Sequence, residues 1–300
     1  MSHFPKSKTV ETVAEKLTEL EQTSANSVDD DLRSINDVLQ DLDKVDRLVN
    51  EFFVEPASYQ IDAPNCEVPN SFKMSVIIPV YNEEATISRV VGRVLEIPVN
   101  KEIIIVDDCS TDSTRDILTF VEAHRDVKVC LKEKNAGKGA ALRTGFELAT
   151  GDVVVIQDAD LEYDPRDIPK LLVPLINDDA DVVYGSRFIG EELQDESWIH
   201  RFGNGVLTGA SNLTTGLKLT DMETCYKAFK RDLLQSVDVE QNRFGFEPEI
   251  TAKLARRQAR FSEVPVRYDA RGYEEGKKIG IRDLFNAIWC IAKYGLFSRK

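Results

Sequence analysis

The stretch VVVIQDADLEYDP (residues 153–165) sets a short β-branched run against four carboxylates at alternate positions: Asp158, Asp160, Glu162 and Asp164. Val153 to Ile156 read as a buried strand, so the acids begin where the strand stops. In extended backbone, residues two apart point the same way, which presents Asp158 and Asp160 together. Hard oxygen donors at that spacing suit Mg²⁺ or Mn²⁺, leaving the other ligand positions to substrate phosphates and water. The plainer reading is a solvated acidic loop that starts the next helix. It explains Asp164 as the cap, with Pro165 at the first helical position, and it explains Asp158 poorly.

Outward from this stretch, similar runs stand at 75–81, 102–108, 127–131 and 180–186, with the quoted strand spanning 152–158. Helix-like patterns lie between them near 83–96, 112–124, 138–149 and 166–177. Alternating β and α at this spacing predicts an α/β fold with a mostly parallel sheet covered on both faces. Ligands of such sheets gather at the carboxyl ends of the strands, so the polar residues there carry the functional reading.

The first strand ends in Pro79, Tyr81, Asn82, Glu83 and Glu84. Asn82 is expected to cap the following helix, with the glutamates in its first turn. Tyr81 and Glu83 are placed to meet a ligand. Asp107 and Asp108 end the second strand. Side by side they repel unless a donor or a cation sits between them, and a carboxylate here can accept from a base or a ribose. Ser110 or Thr111 is the expected cap of the next helix. In NAGKGAALR (135–143), glycines with Lys138 and Arg143 suit a diphosphate at a helix start, and a tight turn explains the glycines equally well. No GxxxxGK[ST] occurs, and no GxGxxG follows the first strand, which disfavours P-loop and nicotinamide enzymes.

The bulk properties restrict the setting. Three hundred residues with 42% hydrophobic and 30% charged content hold a real core and an appendage. A net charge of −14 argues against nucleic acid as the partner. Five dispersed cysteines without CxxC fit a reducing compartment, and no signal core or membrane-length apolar run is visible, so a cytoplasmic protein is expected. The chain divides into a helical N-terminal extension (1–55), a proline-bearing linker (56–72) and the α/β domain (73–300). Two amphipathic helices in 8–54 would either pack on their own domain or pair two chains into a homodimer.

Taken together, VIIPVYNEE, IIIVDDCSTD, NAGKGAALRTG and DAD resemble glycosyltransferase family 2 over residues 74–295. VVYGSRF, TDMETCYKAFKR, RFGFEPEITAKLAR and EVPVRYDARGYEEGKKI resemble its dolichyl-phosphate and polyprenyl-phosphate mannosyl- and glucosyltransferase branch. The resemblance implies a GT-A fold, a nucleotide-diphospho sugar donor (UDP or GDP) and inversion at the anomeric carbon. It implies that Pro79, Tyr81, Glu83, Asp107 and Asp108 hold the nucleoside and that Lys138 and Arg143 lie near the base and diphosphate. Asp158 and Asp160 match the DxD pair, Asp160 being the direct metal ligand. Glu162 stands where the family often has glutamine, as a third metal ligand or a sugar contact.

Two acceptors remain open at this stage. A polyprenyl phosphate needs cationic anchors, for which Arg187 and Arg201 are the candidates. A soluble or glycan hydroxyl needs a carboxylate base, Asp221 first and Glu247 next. A nucleotidyltransferase lacks its glycine-rich loop here, and a non-catalytic nucleotide-sugar binder would have no reason to keep the DAD pair. The tail (276–300) mixes apolar and basic residues as a basic amphipathic helix. It either packs on the domain or lies on an anionic membrane as a peripheral attachment.

Overall fold

The structure, a computed structural model, describes residues 61–189, 198–270 and 281–297. The expected N-terminal helices and the pairing assigned to them lie outside the described residues, as do Lys277, Lys278, Arg299 and Lys300. The described part of the linker runs irregularly onto the domain, where Ile61 and Val68 pack against the core and Phe72 is buried.

Strands β1 (Met74–Val80), β2 (Lys101–Asp107), β3 (Val127–Leu131) and β4 (Val153–Ile156) alternate with helices α1 (Ile87–Leu95), α2 (Thr114–Val121) and α3 (Lys138–Leu148). After a 3₁₀ turn at Pro165–Asp167 come α4 (Ile168–Ile176), β5 (Val182–Ser186) and α5 (Trp198–Thr215). Strand β6 (Lys227–Lys230), α6 (Arg231–Gln235), α7 (Phe246–Arg256), β7 (Phe261–Pro265) and α8 (Ile281–Ala292) complete the chain, with a π-helical turn at Lys293–Phe297.

The seven strands lie in the order β3-β2-β1-β4-β6-β5-β7. All run parallel except β6, which is antiparallel to both of its neighbours. The period-2 rule divides the strands between two cores. Val76, Ile78, Ile103, Ile105, Val153 and Val155 face α1, α2 and α4. Ile77, Ile104, Val106, Val154 and Ile156 face α3, α5 and α7. Continuously apolar strands therefore bury both faces, as a covered parallel sheet requires.

The five expected strands are present, and β6 and β7 complete the sheet. Four residues, KAFK, carry too little pattern to announce β6, yet its reversal matters for the site. Because Lys227 pairs with Tyr184, the chain entering β6 starts at the edge where the parallel strands end. The loop 221–226 thus joins the loops after β1, β2, β4 and β5.

The C-terminal helix α8 packs and also leaves an apolar face open. Ala287, Cys290 and Ile291 are buried, whereas Phe285 is 67% and Trp289 62% exposed. Among the described residues no helix is long and apolar enough to cross a membrane.

Candidate active site

The acids that follow β4 have separate partners. Asp158 accepts an ion pair from Lys138 Nζ at 2.6 Å. Burial opposes the Lys138 ammonium, but Asp158, with Cys225 and Glu247 beyond it, holds its pKa well above the ordinary lysine value. Asp160 Oδ1 accepts from the Glu162 backbone N–H at 3.1 Å, closing a turn in which Leu161 adopts a φ of 63°. Glu162 Oε2 accepts from Tyr268 O–H at 2.7 Å. Asp164 caps the 3₁₀ turn as expected, accepting from Arg166 N–H at 2.9 Å with Pro165 next in line. Gln157 fixes the whole loop from below. Its amide donates to Tyr163 O and Asp158 O, and its Oε1 accepts from Tyr226 O–H. Tyr163 lies between Tyr226, on which it stacks, and Tyr268, whose ring is tilted against it, each ring centroid 5.0 Å away.

The aspartate pair after β2 is resolved by two cations, one for each carboxylate. Asp107 is fully buried and accepts from Arg115 Nε at 2.6 Å and from Ser110 N–H. Asp108 accepts from Lys132 Nζ at 2.6 Å and from the backbone N–H groups of Ala136 and Gly137. Asp108 therefore clamps the glycine turn to the end of β2, and Asp107 braces the loop beneath it. Lys132 and Arg115 were missed in the sequence. Lys132 had a usable signal, as the first residue after β3.

Asn82 corrects one expectation. It does not cap α1, whose first residue is Ile87 after Thr86. With a φ of 55° it lies in the left-handed region, and its Oδ1 accepts from Thr111 N–H at 2.8 Å. Asn82 thus ties the β1 loop to the β2 loop. Neither Ser110 nor Thr111 caps α2: the N-cap is Ser113, Asp112 Oδ1 accepts from Thr114 N–H, and Glu84 Oε2 accepts from Ser113 N–H. Glu83 accepts from Thr86 Oγ1, Pro79 is half-buried, and Tyr81 is 46% exposed beside them.

The glycine turn has a structural cause of its own. Gly137 has a φ of 99°, and a Cβ there would lie 2.5 Å from Asn242 O. A Cβ on Gly139 would lie 2.3 Å from Gln241 O. The start of α3 packs directly on the 241–242 backbone, which only glycine permits. Arg143 holds the same segment, donating to Val239 O at 2.7 Å and to Asn242 Oδ1 at 2.8 Å.

Past β5, Arg187 grips Asp221 with Nε at 2.7 Å and Nη2 at 2.9 Å. Its guanidinium lies 5.0 Å from the Tyr268 ring and 5.5 Å from the Phe188 ring. Exposed Arg201 lies 5.7 Å from the same Phe188 ring. The two expected phosphate anchors therefore meet around one aromatic side chain. Glu247, the second candidate base, is buried in the first turn of α7. Burial pushes its pKa up, against the pull of Lys138 and Lys227.

Residues 75–238 match the family described as Glycosyl transferase family 2. The chain belongs to glycosyl transferase family 2. An undecaprenyl-phosphate 4-deoxy-4-formamido-L-arabinose transferase of Pseudomonas aeruginosa is 33% identical over 228 residues, 73% of this chain and 65% of the relative. An undecaprenyl-phosphate mannosyltransferase of Micrococcus luteus is 30% identical over 235 residues, 76% of this chain and 96% of the relative. This family 2 chain thus spans a little under two thirds of the arabinose transferase and nearly all of the mannosyltransferase. A crystal structure of Mycobacterium tuberculosis glucosyl-3-phosphoglycerate synthase with Mn²⁺, UDP and glucosyl-3-phosphoglycerate superposes with a TM-score of 0.56. At 21% identity, covering 76% of this chain and 82% of that one, it shares the fold, which is GT-A.

The family 2 site fits a divalent ion only in part. Among the described residues no three His, Cys, Asp or Glu side chains gather to hold an ion by themselves. Asp160 supplies one hard donor and Asp158 a second that already carries the ion pair to Lys138, while Glu162 is tied to Tyr268. That donor set suits Mg²⁺ or Mn²⁺ completed by substrate phosphates rather than an all-protein cage.

Proposed function

We propose that this family 2 protein is an inverting glycosyltransferase that moves one hexose from a UDP- or GDP-sugar to a polyprenyl phosphate. The observation that carries the reading is the meeting of Arg187 and Arg201 around Phe188, at the sheet edge that also holds the DxD loop. Its relatives' names, which specify undecaprenyl phosphate, support the same acceptor.

The residues supply the following chemistry. Tyr81, Glu83 and the braced loop of Asp107 and Asp108 receive the nucleoside. Asp158 and Asp160 would hold Mg²⁺ or Mn²⁺, which would neutralise charge on the leaving diphosphate. Lys138, at the start of α3, adds a second positive charge there. As the anomeric C–O bond breaks, its electron pair leaves with the diphosphate. An acceptor phosphate oxygen bonds to the anomeric carbon from the opposite face. With a second pKa near 6, that phosphate is mostly ionised at neutral pH and needs no base. Asp221 suits this scheme as the partner that orients Arg187, because both its oxygens already accept from that guanidinium. A lipid-borne acceptor also gives the open apolar face of α8, with Phe285, Ile288 and Trp289 exposed, a place against the membrane.

A panel of UDP- and GDP-sugars with Mn²⁺ or Mg²⁺, with and without polyprenyl phosphate, tests the proposal. Transfer to the lipid phosphate is expected. Transfer only to hydroxyl acceptors would overturn the acceptor assignment, and tight nucleotide binding without turnover would favour a binder. Sedimentation with anionic liposomes tests the membrane contact, and its absence would remove α8 from the proposal.

A further inference from the structure

Tyr268 stands where the loop after β4 meets the residues past β5. Strands β5 and β7 run parallel with Ser186 opposite Pro265, so Arg187 and Tyr268 both lie just beyond the ends of neighbouring strands. The Val266 N–H donates to Ser186 O at 3.1 Å and carries the pairing one residue further.

One set of ties runs from this segment to the aspartate loop. Tyr268 and Tyr163 form an antiparallel bridge, and the Asp269 N–H donates to Glu162 O at 2.9 Å. Arg267 secures the far end of the same loop. It donates to fully buried Asp167 from its backbone N–H at 2.6 Å and from Nη2 at 2.9 Å. On that frame the Tyr268 O–H donates to Glu162 Oε2 at 2.7 Å, and the Glu162 N–H donates to Asp160 Oδ1 at 3.1 Å. The phenol thus reaches Asp160 through a single intervening residue.

The ring of the same side chain serves Arg187. The guanidinium carbon lies 5.0 Å from the Tyr268 centroid while Nε and Nη2 grip Asp221. An aromatic face at that distance attracts the cation, and with the Asp221 fork it fixes the guanidinium plane. Tyr268 is only 5% exposed and packs against the Tyr163 ring, so it has little freedom to give up either contact. A buried tyrosine hydroxyl normally finds an acceptor, which accounts for the bond to Glu162. It does not account for one side chain joining the aspartate turn to the phosphate anchor.

We infer that Tyr268 is a positioning residue for both halves of the site: its hydroxyl sets the aspartate turn through Glu162, and its ring sets Arg187. This rests on the nucleotide-sugar and lipid-phosphate reading given above and adds a residue to it.

The test splits the hydroxyl from the ring on the full chain. Titration calorimetry with UDP and GDP, with and without Mn²⁺, reads the aspartate turn. KM for polyprenyl phosphate reads Arg187, and thermal melts report the fold. Tyr268→Phe keeps the ring and loses the hydroxyl. It should weaken Mn²⁺-dependent binding of the preferred nucleoside diphosphate about 10-fold, the low end for outer partners of a metal site. Binding without Mn²⁺ and KM for the lipid phosphate should stay within twofold. Added to Glu162→Ala, it should cost nothing further, because the hydroxyl acts through that carboxylate. Tyr268→Leu removes the ring as well and should also raise KM for the lipid phosphate about 5-fold. Should Tyr268→Leu unfold, pentafluorophenylalanine at the same position reverses the ring quadrupole without emptying the site, and should raise KM likewise relative to Tyr268→Phe. Unchanged Mn²⁺-dependent affinity in Tyr268→Phe, or a lowered Tm with affinity and KM intact, would overturn the inference, as would an unchanged KM in the ring variants. Wild-type protein that binds neither nucleotide with Mn²⁺ would sink the donor reading and this inference with it. The expected nucleotide losses without any transfer to lipid would sink the acceptor assignment and the role of the ring, leaving that of the hydroxyl standing.

Discussion

Replacing Lys138 by methionine separates the structural and the chemical work of one side chain. The Lys138–Asp158 pair is short, 2.6 Å, and its side chains are only 19% and 13% exposed. Removing one partner of a largely buried pair leaves the other uncompensated, at a cost of roughly 3–5 kcal/mol when burial is complete. Residual solvent at both groups puts the expected loss near the lower end, about 3 kcal/mol. For a domain of this size that lowers Tm by roughly 6–12 °C. The double variant Lys138→Met with Asp158→Asn removes both charges and should recover most of the lost stability. Activity should follow a different rule. Deleting a charged donor at a leaving group costs about 10²–10³ in kcat, and the double variant should restore none of it. Thermal melts and initial rates of nucleotide release, measured on wild type and both variants, decide the matter. An unchanged Tm in the single variant would show that the pair contributes nothing to the fold. A kcat within threefold of wild type would remove Lys138 from the leaving-group chemistry.

Three further outcomes are expected. Gly139→Ala sets a Cβ 2.3 Å from the Gln241 carbonyl oxygen, so the start of α3 must move; chemical denaturation should show a loss of about 2 kcal/mol or more, and no loss would refute the close approach. Asp221→Asn should raise KM for the lipid phosphate about 10-fold with a small effect on kcat, because it loosens Arg187; a kcat drop beyond 100-fold with loss of the acidic limb of the pH profile would instead make Asp221 a general base. Glu102 provides a pH signature: burial opposes its charge, but hydrogen bonds from Lys73, Ser75 and Thr150 hold its pKa at about 2, below the ordinary 4.5. Its contribution is therefore complete above pH 4.5 and is lost as pH falls towards 2. After discounting for partly exposed Lys73, Glu102→Gln should cost about 2 kcal/mol at pH 7 and almost nothing near pH 2; a difference that does not shrink would refute the assignment.

The sheet was legible because its strands are long β-branched runs cut by helical periodicity. The loops were harder for a definite reason. Side-chain partners there come from distant sequence, as when Lys132 answers Asp108 and Tyr268 answers Glu162. A single chain shows the acid and not the cation, so Asp107 and Asp108 read as mutually repelling until Arg115 and Lys132 are placed beside them. The glycines at 137 and 139 show the same effect. Their cause is the backbone at 241–242, about a hundred residues away and invisible to local pattern. Strand β6 escaped because four residues carry no periodicity, and with it went the reversal that brings the 221–226 loop to the ends of the parallel strands. Within VVVIQDADLEYDP, Asp164 was legible as the cap of the next turn, whereas the partners of Asp158 and Glu162, Lys138 and Tyr268, again come from distant sequence.

The most direct test is transfer itself: purified protein, Mn²⁺, a UDP- or GDP-hexose labelled in the sugar, and a polyprenyl phosphate in detergent. Labelled glycolipid should form with inverted anomeric configuration, disappear with a chelator, and fall below detection in Asp160→Ala. Formation of the same product by Asp160→Ala at near wild-type rate, or retention of configuration, would contradict the mechanism at its centre.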